Sequence, residues 1–266
     1  MTVDQFYHII LFFCNFGFIA PLLILGIHFV NKKVFINAAL IAFFSAFINA
    51  YLKNIWKVPL HPSLGSDGWA FPSGHTQLNV TLWLALTYYL RPKPWVVMLI
   101  CLMLVTDFFG MIHFNYHNWD DVFAGIGFGI ATFLILMIWQ KLLPNKQLEF
   151  AVFTATCSLI LYLTLPYQTF DYHWLFTYFG LFIGFIMHLS IERIWRIDST
   201  ITHSKPWAML KGVLLLGMMF LISKIDFSAY FNISSNLNAF IKGFSIAILT
   251  LIIPLLCRRN TPQIRA

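Results

Sequence analysis

Residues 94–114, PWVVMLICLMLVTDFFGMIHF, form an apolar run whose one charged side chain is Asp107. About twenty residues of helix, rising roughly 1.5 Å each, cover the hydrocarbon core of a bilayer, so this run reads as a membrane span. Comparable blocks recur along the chain. Their approximate limits are 6–29, 34–52, 73–91, 94–114, 121–143, 148–166, 172–193, 207–224 and 236–257. The third is the weakest, being short and rich in Thr and Tyr. The expected fold is all-α, a polytopic membrane helix bundle of about nine transmembrane helices.

Composition supports this reading. Of 266 residues, 59% are hydrophobic and 10% charged, against about 45–50% and about 25% in soluble domains. The net charge of +7 comes without a basic run or an aromatic stacking platform, which argues against a nucleic-acid partner. Cationic loops on one membrane face account for it. Cys14, Cys101, Cys157 and Cys257 each lie in or at the end of an apolar block, as small buried hydrophobes and not as a disulfide or zinc framework. The start, MTVDQFYH, lacks a basic n-region, so the first block reads as a retained span and not as a signal peptide.

Basic residues set the orientation. Lys32, Lys33, Arg91, Lys93, Lys141, Lys146, Arg193, Arg196, Lys205, Arg258, Arg259 and Arg265 fall on one side of the series. The other side holds only Lys53, Lys57 and Lys224, with Lys242 inside the start of the last span. The C-terminus is therefore expected in the cytoplasm and the N-terminus outside. The loops at 52–76 and 113–121 then face the periplasm or a lumen, as in an integral protein of a bacterial inner membrane.

Those two loops carry most of the unusual polar residues. In the first, Phe71-Pro72-Ser73-Gly74-His75-Thr76-Gln77 begins with Pro and Ser before an apolar run, a helix-start signal. Free N–H groups there, with Gly74 allowing close approach, would hold an anion, backed by the helix dipole. Ser73 adds a hydroxyl donor, and His75 can exchange a proton near neutral pH. Taken alone, the run is equally an ordinary capped helix with an interfacial histidine. In the second loop, His117 and Asp121 lie four apart, so a helical turn would place both on one face. A carboxylate on one imidazole nitrogen fixes the tautomer and makes the other nitrogen a nucleophile or base. The alternative is an interfacial loop whose polar residues contact headgroups.

Together the clusters resemble motifs of the type 2 phosphatidic acid phosphatase (PAP2) superfamily, which includes lipid phosphatases, glucose-6-phosphatase and vanadium haloperoxidases. Phe71 to Gln77 looks like that family's second motif without alteration. Gly110 to Gly125, GMIHFNYHNWDDVFAG, resembles its third, usually Ser-Arg-x5-His-x3-Asp. The resemblance implies a PAP2-like catalytic membrane core over 1–145, with additional transmembrane helices over 146–266. It also implies that His117 attacks phosphorus, Asp121 orients it and His75 protonates the leaving alkoxide. Ser73 and the Gly74 N–H would hold phosphate oxygens, with Lys53 as a phosphate cation.

The sequence departs from the family in its cations. The first family motif reads Lys-x6-Arg-Pro. Here Lys53 is followed, one residue later than expected, by His61-Pro62. Met111 and Gly110 occupy the third motif's Arg and Ser positions. Both family arginines are absent, and their bidentate phosphate contacts are not reproduced by Lys or neutral His. Protonated His61 and His113, with Lys57 as a third candidate, are the expected replacements, which would place the activity optimum below neutral pH.

Other features have plainer readings. The histidines and carboxylates near one face could form a metal site, but the motifs account for His75 and His117 without one, so no metal or cofactor is expected. Asp107, inside a span, is either functional or a hydrogen-bonded structural group. Gly125, Gly127 and Gly129 read as close helix packing. Glu192 and Arg196 read as an interfacial ion pair. The expected function is hydrolysis of a lipid phosphate or diphosphate, such as undecaprenyl diphosphate, phosphatidic acid, phosphatidylglycerophosphate or lipid A. The rivals are phosphoryl transfer to a hydroxyl and non-catalytic lipid-phosphate binding or transport.

Overall fold

The computed structural model describes residues 2–65, 68–143, 147–165 and 172–195, then 214, 217–218, 220–222, 224–226 and 234–256. Among these residues the fold is helical, with no strand beyond one isolated bridge between Pro59 and Trp69. In chain order the helices are α1 (Val3–Phe13), α2 (Phe16–Phe29), α3 (Lys32–Trp56), α4 (Gly74–Leu90), α5 (Pro94–His113), α6 (Trp119–Leu142), α7 (Gln147–Leu163), α8 (His173–Trp195) and α9 (Ser235–Leu256). A 3-10 turn, Pro62–Leu64, lies between α3 and α4.

Among the described residues, five segments are long and apolar enough to cross a membrane: Val3–Phe29, Lys32–Trp56, Pro94–His113, Trp119–Leu142 and Trp174–Ile194. Gln147–Leu163 is apolar but shorter, and α4 has 17 residues. The count of nine expected from sequence is therefore not reproduced by length and composition. The expected span 207–224 falls largely outside the described residues. The first expected span is interrupted at Cys14 and Asn15, where Asn15 caps α2 through Gly17 N–H. A break within an apolar run leaves peptide groups without helical partners. The Asn79 amide meets one of them, donating to the Cys14 carbonyl at 2.9 Å.

The chain forms two compact units, Met1–Leu175 and Phe176–Ala266. The first extends past residue 145 because α7 packs on α3, with Gln147 Nε2 donating to Lys33 O at 3.0 Å and Asn37 Oδ1 at 2.9 Å. Helix α3 is the centre of this unit, with 78% of its apolar window buried against 17% for α5. Its buried positions include Ala38, Ala39, Ala42, Ser45, Ala46, Asn49 and Ala50. Small side chains let helix backbones approach closely, a main source of packing energy when lipid surrounds the bundle.

Helices α4 and α6 pack tightly on each other. A Cβ on Gly125 would lie 2.8 Å from the Ser73 carbonyl oxygen, and one on Gly129 would lie 2.9 Å from that of Gln77. Gly127 meets nothing within 4 Å. Of the three glycines expected at a packing face, two are there, because positions two apart on a helix lie on different sides. In the second unit, α8 meets α9 at small residues, with Gly180 and Gly184 facing Phe240, Phe244 and Ala247.

Candidate active site

The site is assembled where three helices end or begin. Lys53 lies in the last turn of α3, which Lys57 closes in a left-handed conformation, φ 50°. The following loop folds back, and Lys53 Nζ donates to the carbonyls of Trp69 and Ala70. Ser73 then caps α4, its hydroxyl accepting the Thr76 N–H at 3.3 Å. The Ser73 N–H donates to the Asp121 carbonyl at 2.9 Å, so the starts of α4 and α6 lie side by side. Each helix start carries unsatisfied N–H groups and the positive end of a dipole, and two together favour an anion.

Beneath this junction the Asn49 amide donates to Pro72 O at 3.1 Å and Gln77 Oε1 at 3.0 Å. Gln77 passes the chain to Ser45 through its own amide, at 3.1 Å to the carbonyl and 3.2 Å to Oγ. A Cβ on Gly74 would lie 2.7 Å from Asn49 Oδ1. In this structure the space left by Gly74 is used by Asn49, which holds the loop from below.

Two histidine–carboxylate pairs adjoin the junction. His117 Nδ1 lies 3.4 Å from Asp121 Oδ2, and that oxygen also accepts the Asn118 N–H at 2.9 Å. His117 is 10% exposed. Burial pushes its imidazole below the usual histidine range; Asp121 acts in the opposite direction, while Lys53 and His75 add to the depression. The neutral ring is thereby favoured at neutral pH, leaving Nε2 with a free lone pair. In the second pair, His75 Nε2 lies 3.0 Å from Oδ1 of Asp107, which is fully buried on α5.

Of the residues expected from sequence, Lys53, Ser73, Gly74, His75, His117 and Asp121 come together. His61 and His113 are engaged elsewhere. His61 caps the 3-10 turn, with Nδ1 2.7 Å from Ser63 Oγ. His113 is the last residue of α5, its Nε2 2.7 Å from Asp4 Oδ1 and its ring 4.9 Å from that of Tyr7 on α1. Helix α5 stops at His113, and Asn115 adopts φ 55°, so the four-residue spacing to His117 is not a helical turn. Met111, at the position of the family arginine, is buried and offers its carbonyl to the Tyr116 and His117 amides.

Sequence reasoning left open the role of Asp107 and missed that of Asn49. An acid inside an apolar run was the signal for the first; an Asn in the apolar middle of α3 was the signal for the second. A cavity of about 300 Å³ lies at the opposite end of α3, lined by residues including Lys33, Asn37, Tyr89 and Gln140. It contains none of the expected site residues. Among the described residues, no group of three or more His, Cys, Asp or Glu side chains converges as a metal site.

Residues 34–144, which contain the whole junction, match the family model of the PAP2 superfamily. The match supports membership of the PAP2 superfamily over this segment. No curated protein and no solved structure matches the chain. The PAP2 segment begins on α3 and ends just after α6, so it takes in the Asn49 support, Lys53 and both histidine–carboxylate pairs. The match suggests phosphatase-type chemistry on phosphate esters, in a chain with several helices apolar enough for a membrane.

Proposed function

We propose that this protein is a membrane phosphatase that hydrolyses a lipid phosphate or diphosphate through a phosphohistidine on His117. The observation that carries the reading is the junction of two helix starts beside a largely covered histidine whose Nδ1 faces a carboxylate. His117 Nε2 attacks phosphorus as the ester P–O bond breaks, and protonated His75 gives its proton to the leaving oxygen. Water then attacks the phosphohistidine, His75 takes up a proton from it, and phosphate leaves with His117 restored. Lys53, Ser73 and the N–H groups at the start of α4 stabilise charge on the equatorial oxygens. The distribution of basic residues supports a site on the non-cytoplasmic face, with the C-terminus in the cytoplasm.

The test is phosphate release by the purified full chain, without added metal, from phosphatidic acid, phosphatidylglycerophosphate, undecaprenyl diphosphate and lipid A between about pH 5 and 8. Protonation of His117 removes its lone pair, so the rate falls as pH drops through that pKa. Burial lowers this pKa; the acid limb is therefore expected below about 6.5, the ordinary histidine value. An acid limb above that value would remove His117 as the titrating nucleophile. Binding of these lipids without release of phosphate would favour the transferase or the binder.

His113 offers a second test. Its contact with Asp4 is exposed, and such pairs contribute little. The His113→Ala variant is expected to change KM less than about threefold, because the ring is held against α1 and not at the junction. A KM rise of about tenfold or more would restore His113 as a phosphate cation.

A further inference from the structure

Asp107 is fully buried in α5, a helix whose other residues from Pro94 to Ile112 are uncharged. An isolated carboxylate in such surroundings is costly and persists only when paired. Its observed partner is His75, at 3.0 Å through Nε2, across the contact between α4 and α5. The surroundings restrict the carboxylate further. The Cys14 thiol, at the break between α1 and α2, adjoins it, and the Cys14 carbonyl is fixed by Asn79. His75 also interacts with His117, which in turn interacts with Lys53 and Asp121 at the junction. The chain thus places one carboxylate behind each histidine, Asp121 on Nδ1 of His117 and Asp107 on Nε2 of His75.

We infer that Asp107 is the positioning residue of the proton donor: it accepts the Nε2–H of His75 and leaves Nδ1 to carry the proton delivered to the leaving oxygen. This inference rests on the reading of His75 as the general acid. The carboxylate neither touches substrate nor changes its own protonation in the step. It holds the ring in the orientation from which Nδ1 delivers its proton as the P–O bond breaks. A purely architectural role, in which the pair only joins α4 to α5, would make no distinction between substrates. A positioning role makes one, because only a poor leaving group needs the proton.

The experiment compares Asp107→Asn, Asp107→Glu and His75→Ala in the full chain. The substrates are phosphatidic acid in mixed micelles, whose alkoxide leaves badly, and p-nitrophenyl phosphate, whose phenolate leaves unaided. For Asp107→Asn, kcat on phosphatidic acid is expected to fall about 10- to 100-fold with KM within about threefold, while kcat on the aryl ester changes less than about threefold. Asp107→Glu is expected to recover part of the loss. Nitrogen NMR of histidine-labelled protein is expected to show the Nε2–H form of His75 in the wild type and its loss in Asp107→Asn. Equal loss on both esters, or loss on neither, with an unaltered His75 signal overturns the inference. If His75→Ala shows no preference for the aryl ester, the general-acid reading itself fails. The NMR comparison still judges the Asp107–His75 link in that case.

Discussion

Replacing His117 by alanine is expected to lower phosphate release from the best lipid substrate by at least about 10³-fold, since the proposed covalent intermediate forms on its ring. The loss should not come from unfolding. The 114–118 loop is held by its backbone, through the Tyr116 and His117 amides on Met111 O and the Asn118 amide on Asp121 Oδ2, and the imidazole adds only the contact to Asp121. Helix content and the thermal midpoint are therefore expected to stay near the wild-type values. With labelled substrate, acid-labile, base-stable phosphate should be trapped on the wild-type chain and be missing from the variant. Turnover within tenfold of wild type would show that another group attacks phosphorus.

Gly125→Val is expected to be the most damaging single change away from the reacting groups. The new side chain would begin 2.8 Å from the Ser73 carbonyl and 3.0 Å from Thr76 Cβ. The first of these is backbone and cannot rotate away. Overpacking of this kind costs about 1–3 kcal/mol or more, and relief requires α6 to separate from α4. That separation would open the Ser73–Asp121 hydrogen bond and misplace His117 relative to the start of α4, so activity is expected to fall about 10²-fold or more. Gly127→Ala is the control. It meets nothing within 4 Å and replaces glycine by a better helix former, so stability should be unchanged or slightly raised. Similar losses in the two variants would show that the damage is general to α6 and not specific to its contact with α4.

How much of this could be read from sequence depended on whether the signal was local. The approach of His117 to Asp121 occurs across the start of α6, with His117 before the cap residue Asn118 and not on the expected helical turn; the helix start at Ser73 was legible, because a cap is a short-range statement. So were the long apolar helices α3, α5, α6 and α8. The break at Cys14 and Asn15 was not, since the apolar run continues through it and the compensating donor, Asn79, lies 65 residues away. Asp107 was conspicuous, but its partner is 32 residues distant and on another helix. His61 and His113 were expected at the phosphate site to replace missing charge. The structure turns both aside, one to cap a turn and the other to meet α1. Whether a spacing of four is helical depends on where the helix ends, and α5 ends at His113 itself, four residues before His117.

The bond between Ser73 N–H and the Asp121 carbonyl has a consequence for inheritance. It joins peptide to peptide, so replacing the side chain of Ser73 or Asp121 leaves its donor and acceptor in place, proline at position 73 excepted. Mutation can therefore exchange the cations around the phosphate without undoing the alignment of the two helix starts. A lineage can lose both arginines in this way and still transmit the geometry on which new charge arrangements are tried.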